Sequence, residues 1–142
     1  MPNSSAEENL RLWFERVWNQ NDESAIDELF APDGMVHGLP NEGGGPIRGR
    51  EEFKSYARSL RAAIPDVRVE ILRFVANGDL ASAHCVVTGT HTGDGLGLRA
   101  SGRPVRFEGI VMGRVADGHL QESWNSFDFM TFFQQVGATP PV

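Results

Sequence analysis

The sequence predicts an α+β domain in which N-terminal helices pack on a strongly curved antiparallel sheet and a short C-terminal helix closes the chain. Two observations carry this. As far as Pro65 the apolar residues recur about every 3.6 positions, as on one side of a helix; beyond it they alternate with polar residues, as in half-buried strands. Asn77-Gly78 and Asp117-Gly118 then stand where antiparallel strands must reverse, because a type I′ turn needs two positive φ angles. Helices followed by an antiparallel meander form a cone or half barrel with a closed end, whose open mouth makes one pocket.

The first helix is expected over Ser4 to Asn19. It opens on two overlapping capping boxes, Ser4 with Glu7 and Ser5 with Glu8, and carries Leu10, Trp13, Phe14, Val17 and Trp18 at helical spacing. Asp22 caps a short second helix that buries Ile26, Leu29 and Phe30, so the pair forms a helical hairpin. The stretch APDGMVHGLPNEGGGPIRG is too rich in Gly and Pro for long regular structure and reads as a loop, with a brief extended piece at Met35 to Leu39. A third helix runs from about Arg50 to Ala63, with Phe53, Tyr56, Ala57 and Leu60 on one side, and Pro65 stops it. Four long strands follow as two hairpins, and the last strand ends at Asp128, where a closing helix that ends in FFQQVG begins.

The 142 residues fit a single domain, 1–142, with one core. A net charge of −6, with 13 basic residues scattered along the chain, argues against nucleic acid or an anionic membrane surface as partner. No apolar run approaches the ~20 residues of a membrane helix, and MPNSSAEENL does not read as a secretory signal, so a cytoplasmic location is expected. Cys85, the one cysteine, is expected to be a small core residue. The four histidines and the acids form no His-x-x-Glu pattern or close His pair, which leaves no metal-site signal. The uncovered face of a four-stranded curved sheet, bearing several apolar residues, predicts a homodimer.

The stretches LFAPDGMVHG, GTHTGDGLG, SGRPVRFEGIVMGRVADGHLQESWNSFD and FFQQVG, in this helix and strand order, resemble the SnoaL-like polyketide cyclases of the nuclear transport factor two-like superfamily. The resemblance covers nearly the whole chain. It implies a cofactor-independent, aldol-type ring closure of an apolar carbonyl or polyketide-like substrate, in which one acidic residue near the end of the last strand handles protons. Asp128 of WNSFD matches that residue. The aromatic residues around it would raise its pKa toward a useful range, while a plain helix cap would lower it.

His37 in MVHGLP lies beside the expected mouth and is the candidate helper for Asp128, as a hydrogen-bond donor or proton relay. Asn125 suits the orienting of a carbonyl, and His91 ends a strand at a Gly-rich loop on the expected rim. Trp18 and Tyr56 are the helix aromatics with reach into the pocket. His84 reads as a core or interface residue, and Glu108 as either a substrate contact or half of a buried ion pair with Arg114.

A regular hairpin at Asp117-Gly118 sets Phe107 opposite Asp128 and Ile110 opposite Asn125. Asp128 then shares a face with Phe107, Gly109 and Val111, and Asn125 shares the other with Glu108, unless a bulge intervenes. Asn125 also stands where an epoxide hydrolase of this fold would carry its water-activating carboxylate, and Tyr56 is the only tyrosine for a ketosteroid isomerase-like oxyanion hole. The rival from another class is a module that binds a lipid-like molecule without turning it over. An apolar cavity free of ionisable groups favours binding; one reached by Asp128 or His37 favours catalysis.

Overall fold

The computed structural model describes residues 5–41 and 44–138. The capping box at Ser4 lies outside them, as does the Ser5 side chain. Helix α1 (Ser5–Leu12) passes into a π-helical segment, Trp13–Asn19, in place of the single regular helix expected. There the Gln20 N–H donates to the carbonyl of Glu15, five residues back, at 2.9 Å. The wider turn lets Trp13, Phe14, Val17 and Trp18 all face inward. Its end is held by Asn19, whose side chain donates to the Val69 carbonyl at 2.9 Å and accepts from the Val69 N–H at 2.7 Å. Asp22 then accepts from the Ser24 N–H at the start of α2 (Ser24–Leu29).

The expected loop contains two strands, β1 (Phe30–His37) and β2 (Ile47–Arg48). β1 runs parallel to a strand near the end of the chain, Val36 beside Ser123 and His37 beside Trp124. Its stability comes from that tertiary ladder, which no local pattern reveals. Helix α3 (Gly49–Ala63) buries Phe53, Tyr56, Leu60 and Ala63. The strands β3 (Arg68–Asn77), β4 (Leu80–Thr90), β5 (Pro104–Ala116) and β6 (His119–Phe127) follow, then α4 (Phe129–Val136). The six strands lie in the order β2-β1-β6-β5-β4-β3, antiparallel except for β1 with β6.

Two local details differ from expectation. Asn77 pairs with Leu80, so the β3–β4 turn consists of Gly78-Asp79, and of these only Gly78 has positive φ. That fits a type II′ turn, not the expected I′ turn at Asn77-Gly78. In the second hairpin Asp117 and Gly118 do both have positive φ and Ala116 pairs with His119, but Gln121 is an extra residue between Leu120 opposite Val115 and Glu122 opposite Arg114. The bulge resets the rest of β6, so Ile110 faces Ser126 and Val111 faces Asn125. A second bulge falls at Leu72, between the pairs Ile71–Cys85 and Arg73–His84.

The inner face of the sheet meets the helices in one core. Phe53 lies at its centre, with ring centroids 4.9 Å from Trp13, 5.7 Å from Phe30, 6.0 Å from Trp18 and 6.1 Å from Tyr56. Cys85 is fully buried, and burial pushes its thiol up to about 12, which keeps it inert as a small core residue. The outer face exposes Ile110, Met112 and Trp124. His84 is on that outer face too, between Arg73 at 3.1 Å and Glu108 at 2.8 Å. No helix among the described residues is long and apolar enough to cross a membrane.

Candidate functional site

Between the helices and the inner face of the sheet the cone holds a cavity of about 60 Å³. Such a volume holds a few waters, well below the ~300–1,000 Å³ of most small-molecule sites. Its wall is nearly all apolar: Trp13, Phe14 and Trp18 from the π-helical segment, Phe53, Tyr56 and Leu60 from α3, Phe107 and Val111 from β5, and Phe127 and Phe129 at the β6–α4 junction. Three polar side chains interrupt it: Tyr56, Ser123 and Asn125. Among the described residues no carboxylate or imidazole belongs to the lining.

The Gln121 bulge is what turns Ser123, Asn125 and Phe127 inward, onto the face shared by Phe107, Gly109 and Val111. Phe127 lies so close over Gly109 that a Cβ there would meet its ring at 2.3 Å. The Asn125 amide nitrogen donates to the His37 carbonyl at 2.9 Å and to Ser123 Oγ at 3.2 Å. Its side-chain carbonyl oxygen accepts nothing among the described residues. The Tyr56 hydroxyl is buried with no hydrogen-bond partner there. Burial pushes its phenol above the ordinary value, so it stays protonated and serves as a donor.

Of the residues singled out in the sequence, Trp18, Tyr56 and Asn125 come together in this wall. Asp128 does not. Its exposed carboxylate caps α4, accepting from the Thr131 N–H at 3.0 Å and the Thr131 hydroxyl at 2.6 Å. These bonds hold its pKa below the ordinary value, the reverse of the rise expected from its aromatic neighbours, of which Phe127 and Phe129 line the cone.

His37 points out of the pocket, with Nε2 2.6 Å from Glu122 Oε2 and its ring stacked on Trp124 at 6.0 Å; only its carbonyl reaches the site, through Asn125. Glu108 is on the outer face, 2.8 Å from His84 and 3.4 Å from Arg106. The expected buried pair with Arg114 is absent because both side chains are partly exposed, and Arg114 reaches Glu122 instead. His91 is buried outside the cavity wall, with Nδ1 2.9 Å from the Ser101 hydroxyl and its ring edge-on to Phe132. Burial lowers its pKa, with Asp94 opposing. Ser123 was missed, since one unpaired residue in β6 decides which way it points. No group of three metal-ligating side chains occurs among the described residues.

Comparison with known proteins agrees with this architecture. Aklanonic acid methyl ester cyclase DnrD of Streptomyces peucetius is 27% identical over 96 residues, which span 67% of this chain and 66% of that protein. Aklanonic acid methyl ester cyclase DauD of Streptomyces sp. strain C5 is 27% identical over 120 residues, 84% of this chain and 71% of that protein. Among solved structures, IdmH from Streptomyces antibioticus, assigned as a polyketide cyclase, superposes with a TM-score of 0.79 at 29% identity, covering 95% of this chain and all of that one. A protein from Jannaschia sp. CCS1 assigned to the SnoaL-like cyclases shares the fold at a TM-score of 0.84 and 20% identity, covering 96% and 94% of the two chains. The SnoaL-like polyketide cyclase family matches residues 8–136, so the chain belongs to that family.

Proposed function

We propose that the chain binds an apolar, polyketide-like carbonyl compound in the cone and promotes its aldol-type ring closure, without a cofactor and in the cytoplasm. The observation that carries this is an aromatic wall interrupted only by Tyr56, Ser123 and Asn125. Enolisable dicarbonyl carbon acids lose a proton readily in water. A pocket that folds such a chain so that the enolate carbon faces the second carbonyl gains rate from proximity. Tyr56 and Ser123 are the donors available to the developing oxyanion, while the free Asn125 oxygen accepts from a substrate hydroxyl or enol. The new C–C bond forms, the carbonyl oxygen becomes an alkoxide, and solvent at the mouth returns the proton. A multi-ring substrate exceeds 60 Å³, so its binding turns Phe127 and Phe129 aside.

A second reading, binding without turnover, is favoured by the lack of a carboxylate or imidazole in the wall. One experiment separates the two. Poly-β-ketones and hydroxy-ketones are titrated against tryptophan fluorescence, and the same mixtures are followed by chromatography. Saturable quenching with accelerated ring closure supports the cyclase reading, whereas quenching with no acceleration leaves the binding module. Activity unchanged by chelators is expected of the cofactor-free reaction.

We also infer a homodimer through the outer sheet face, where exposed Ile110, Met112 and Trp124 lie between the His84–Glu108 and His37–Glu122 pairs. Sedimentation at tens of micromolar showing only monomer would overturn it.

A further inference from the structure

A second cleft of about 270 Å³ opens on the far side of Trp18, between the π-helical segment, α2 and α3. Trp18 is a wall of both spaces. The floor of the cleft is apolar, with Trp18, Ile26 and Ala57, and its rim carries Asn21, Glu23, Arg58 and Arg61. Two of these charges cancel. Arg58 grips Glu23 through Nε at 2.8 Å and Nη2 at 2.5 Å, a two-point pair in which each charge already has its partner.

Arg61 is different. Its Nη2 donates to the carbonyls of Val17 and Trp18 near the end of the π-helical segment. Its Nε and Nη1 make no hydrogen bond among the described residues, and no carboxylate there lies within ion-pair distance. A guanidinium remains charged at all working pH values and presents a planar fork that suits a carboxylate. Closing off one helical segment explains one nitrogen of three. It leaves a half-buried cation without a counter-ion beside an apolar floor wide enough for one ring.

We propose that this cleft is a binding site, separate from the cone, for a small organic carboxylate with an apolar body. The ring lies on Trp18 and Ile26, and the carboxylate accepts from a guanidinium N–H of Arg61 that the Val17 and Trp18 carbonyls leave free. Asn21 offers a side-chain amide beside it.

The probe is sodium benzoate, followed by the indole N–H resonances in two-dimensional NMR and by calorimetry. Benzyl alcohol, its neutral counterpart of similar shape, and inorganic phosphate serve as comparisons. Benzoate is expected to bind in about the millimolar range, at least tenfold more tightly than either, and to move the Trp18 resonance. Arg61→Gln is expected to weaken it by roughly tenfold or more. Because that change also loosens the π-helical segment, Ala57→Leu fills the floor with the charge intact and is expected to abolish binding too. Tyr56→Phe, on the cone side, is expected to leave benzoate binding as it was. Equal binding of benzyl alcohol or phosphate, retention of benzoate by a folded Ala57→Leu variant, or no saturable shift at all would overturn the proposal. None of these results bears on ring closure in the cone.

Discussion

The Asn125 amide donates to the main-chain carbonyl of His37 at 2.9 Å, spanning the parallel pair β1 and β6. The next residue, Gly38, has a φ of +89°, and a Cβ there would lie 1.9 Å from the main-chain carbonyl oxygen of Asn125. The aim of the pocket's amide therefore depends on a backbone approach that only glycine allows.

Asn125→Leu is expected to cost about 1 kcal/mol of stability through the lost hydrogen bond. Affinity for a hydroxy-ketone should fall about tenfold. Gly38→Ala keeps the Asn125 side chain but displaces the strand carrying it, so it should weaken ligand binding as much and lower the melting temperature further. Thermal melts and fluorescence titrations check both; a Gly38→Ala protein with unchanged affinity would show that Asn125 does not orient the ligand.

Tyr56→Phe removes a buried hydroxyl that has no hydrogen-bond partner among the described residues. Stability should hold or rise, because an unsatisfied polar group is lost. Affinity for a carbonyl ligand should nevertheless drop by roughly tenfold, the loss of about 1.4 kcal/mol. A variant that gains stability and keeps full affinity would remove Tyr56 from the site.

Asp128 separates capping from proton transfer. Asp128→Ala should lower the melting temperature, while Asp128→Asn, itself a good N-cap, should retain most of it, and both should spare turnover. A fall in kcat of about 10²–10⁴ in Asp128→Asn would instead assign it the acid/base role. Its carboxyl lies below the ordinary 3.8 in the folded state, so its contribution is complete above that pH and is lost as the pH falls through the folded value.

His91 should make the protein acid-sensitive. Burial holds its folded pKa below the ordinary 6.5, so the unfolded chain takes up the proton first as the pH falls. Stability from this residue is intact at neutral pH and declines from about pH 6.5 downward, until the folded pKa is passed. Denaturant melts of the wild type and of His91→Gln between pH 7.5 and 5 should converge as the pH drops; parallel curves would exclude His91.

The helices and the two hairpins were legible because their signals are local: apolar spacing, Pro65 as a stop, and glycine turns. Three of the pocket's residues, Trp18, Tyr56 and Asn125, were named for the same reason. What escaped was set at a distance. β1 exists through its ladder with β6, and Ser123 and Asn125 face inward because of one unpaired glutamine. The direction of the Asp128 carboxylate also escaped, since an acid among phenylalanines reads as apolar surroundings, whereas its side chain accepts from Thr131.

The bulge at Gln121 has an evolutionary consequence. Leu120 pairs with Val115 and Glu122 with Arg114, so loss of the Gln121 codon would remove only the unpaired residue and leave every later residue opposite its present partner and on its present face. Ser123, Asn125 and Phe127 would still face the cone, with Trp124 and Ser126 outside. A lineage can therefore shorten this hairpin by one residue without rebuilding the pocket, whereas the same loss in the regular part of the strand would disturb its pairing.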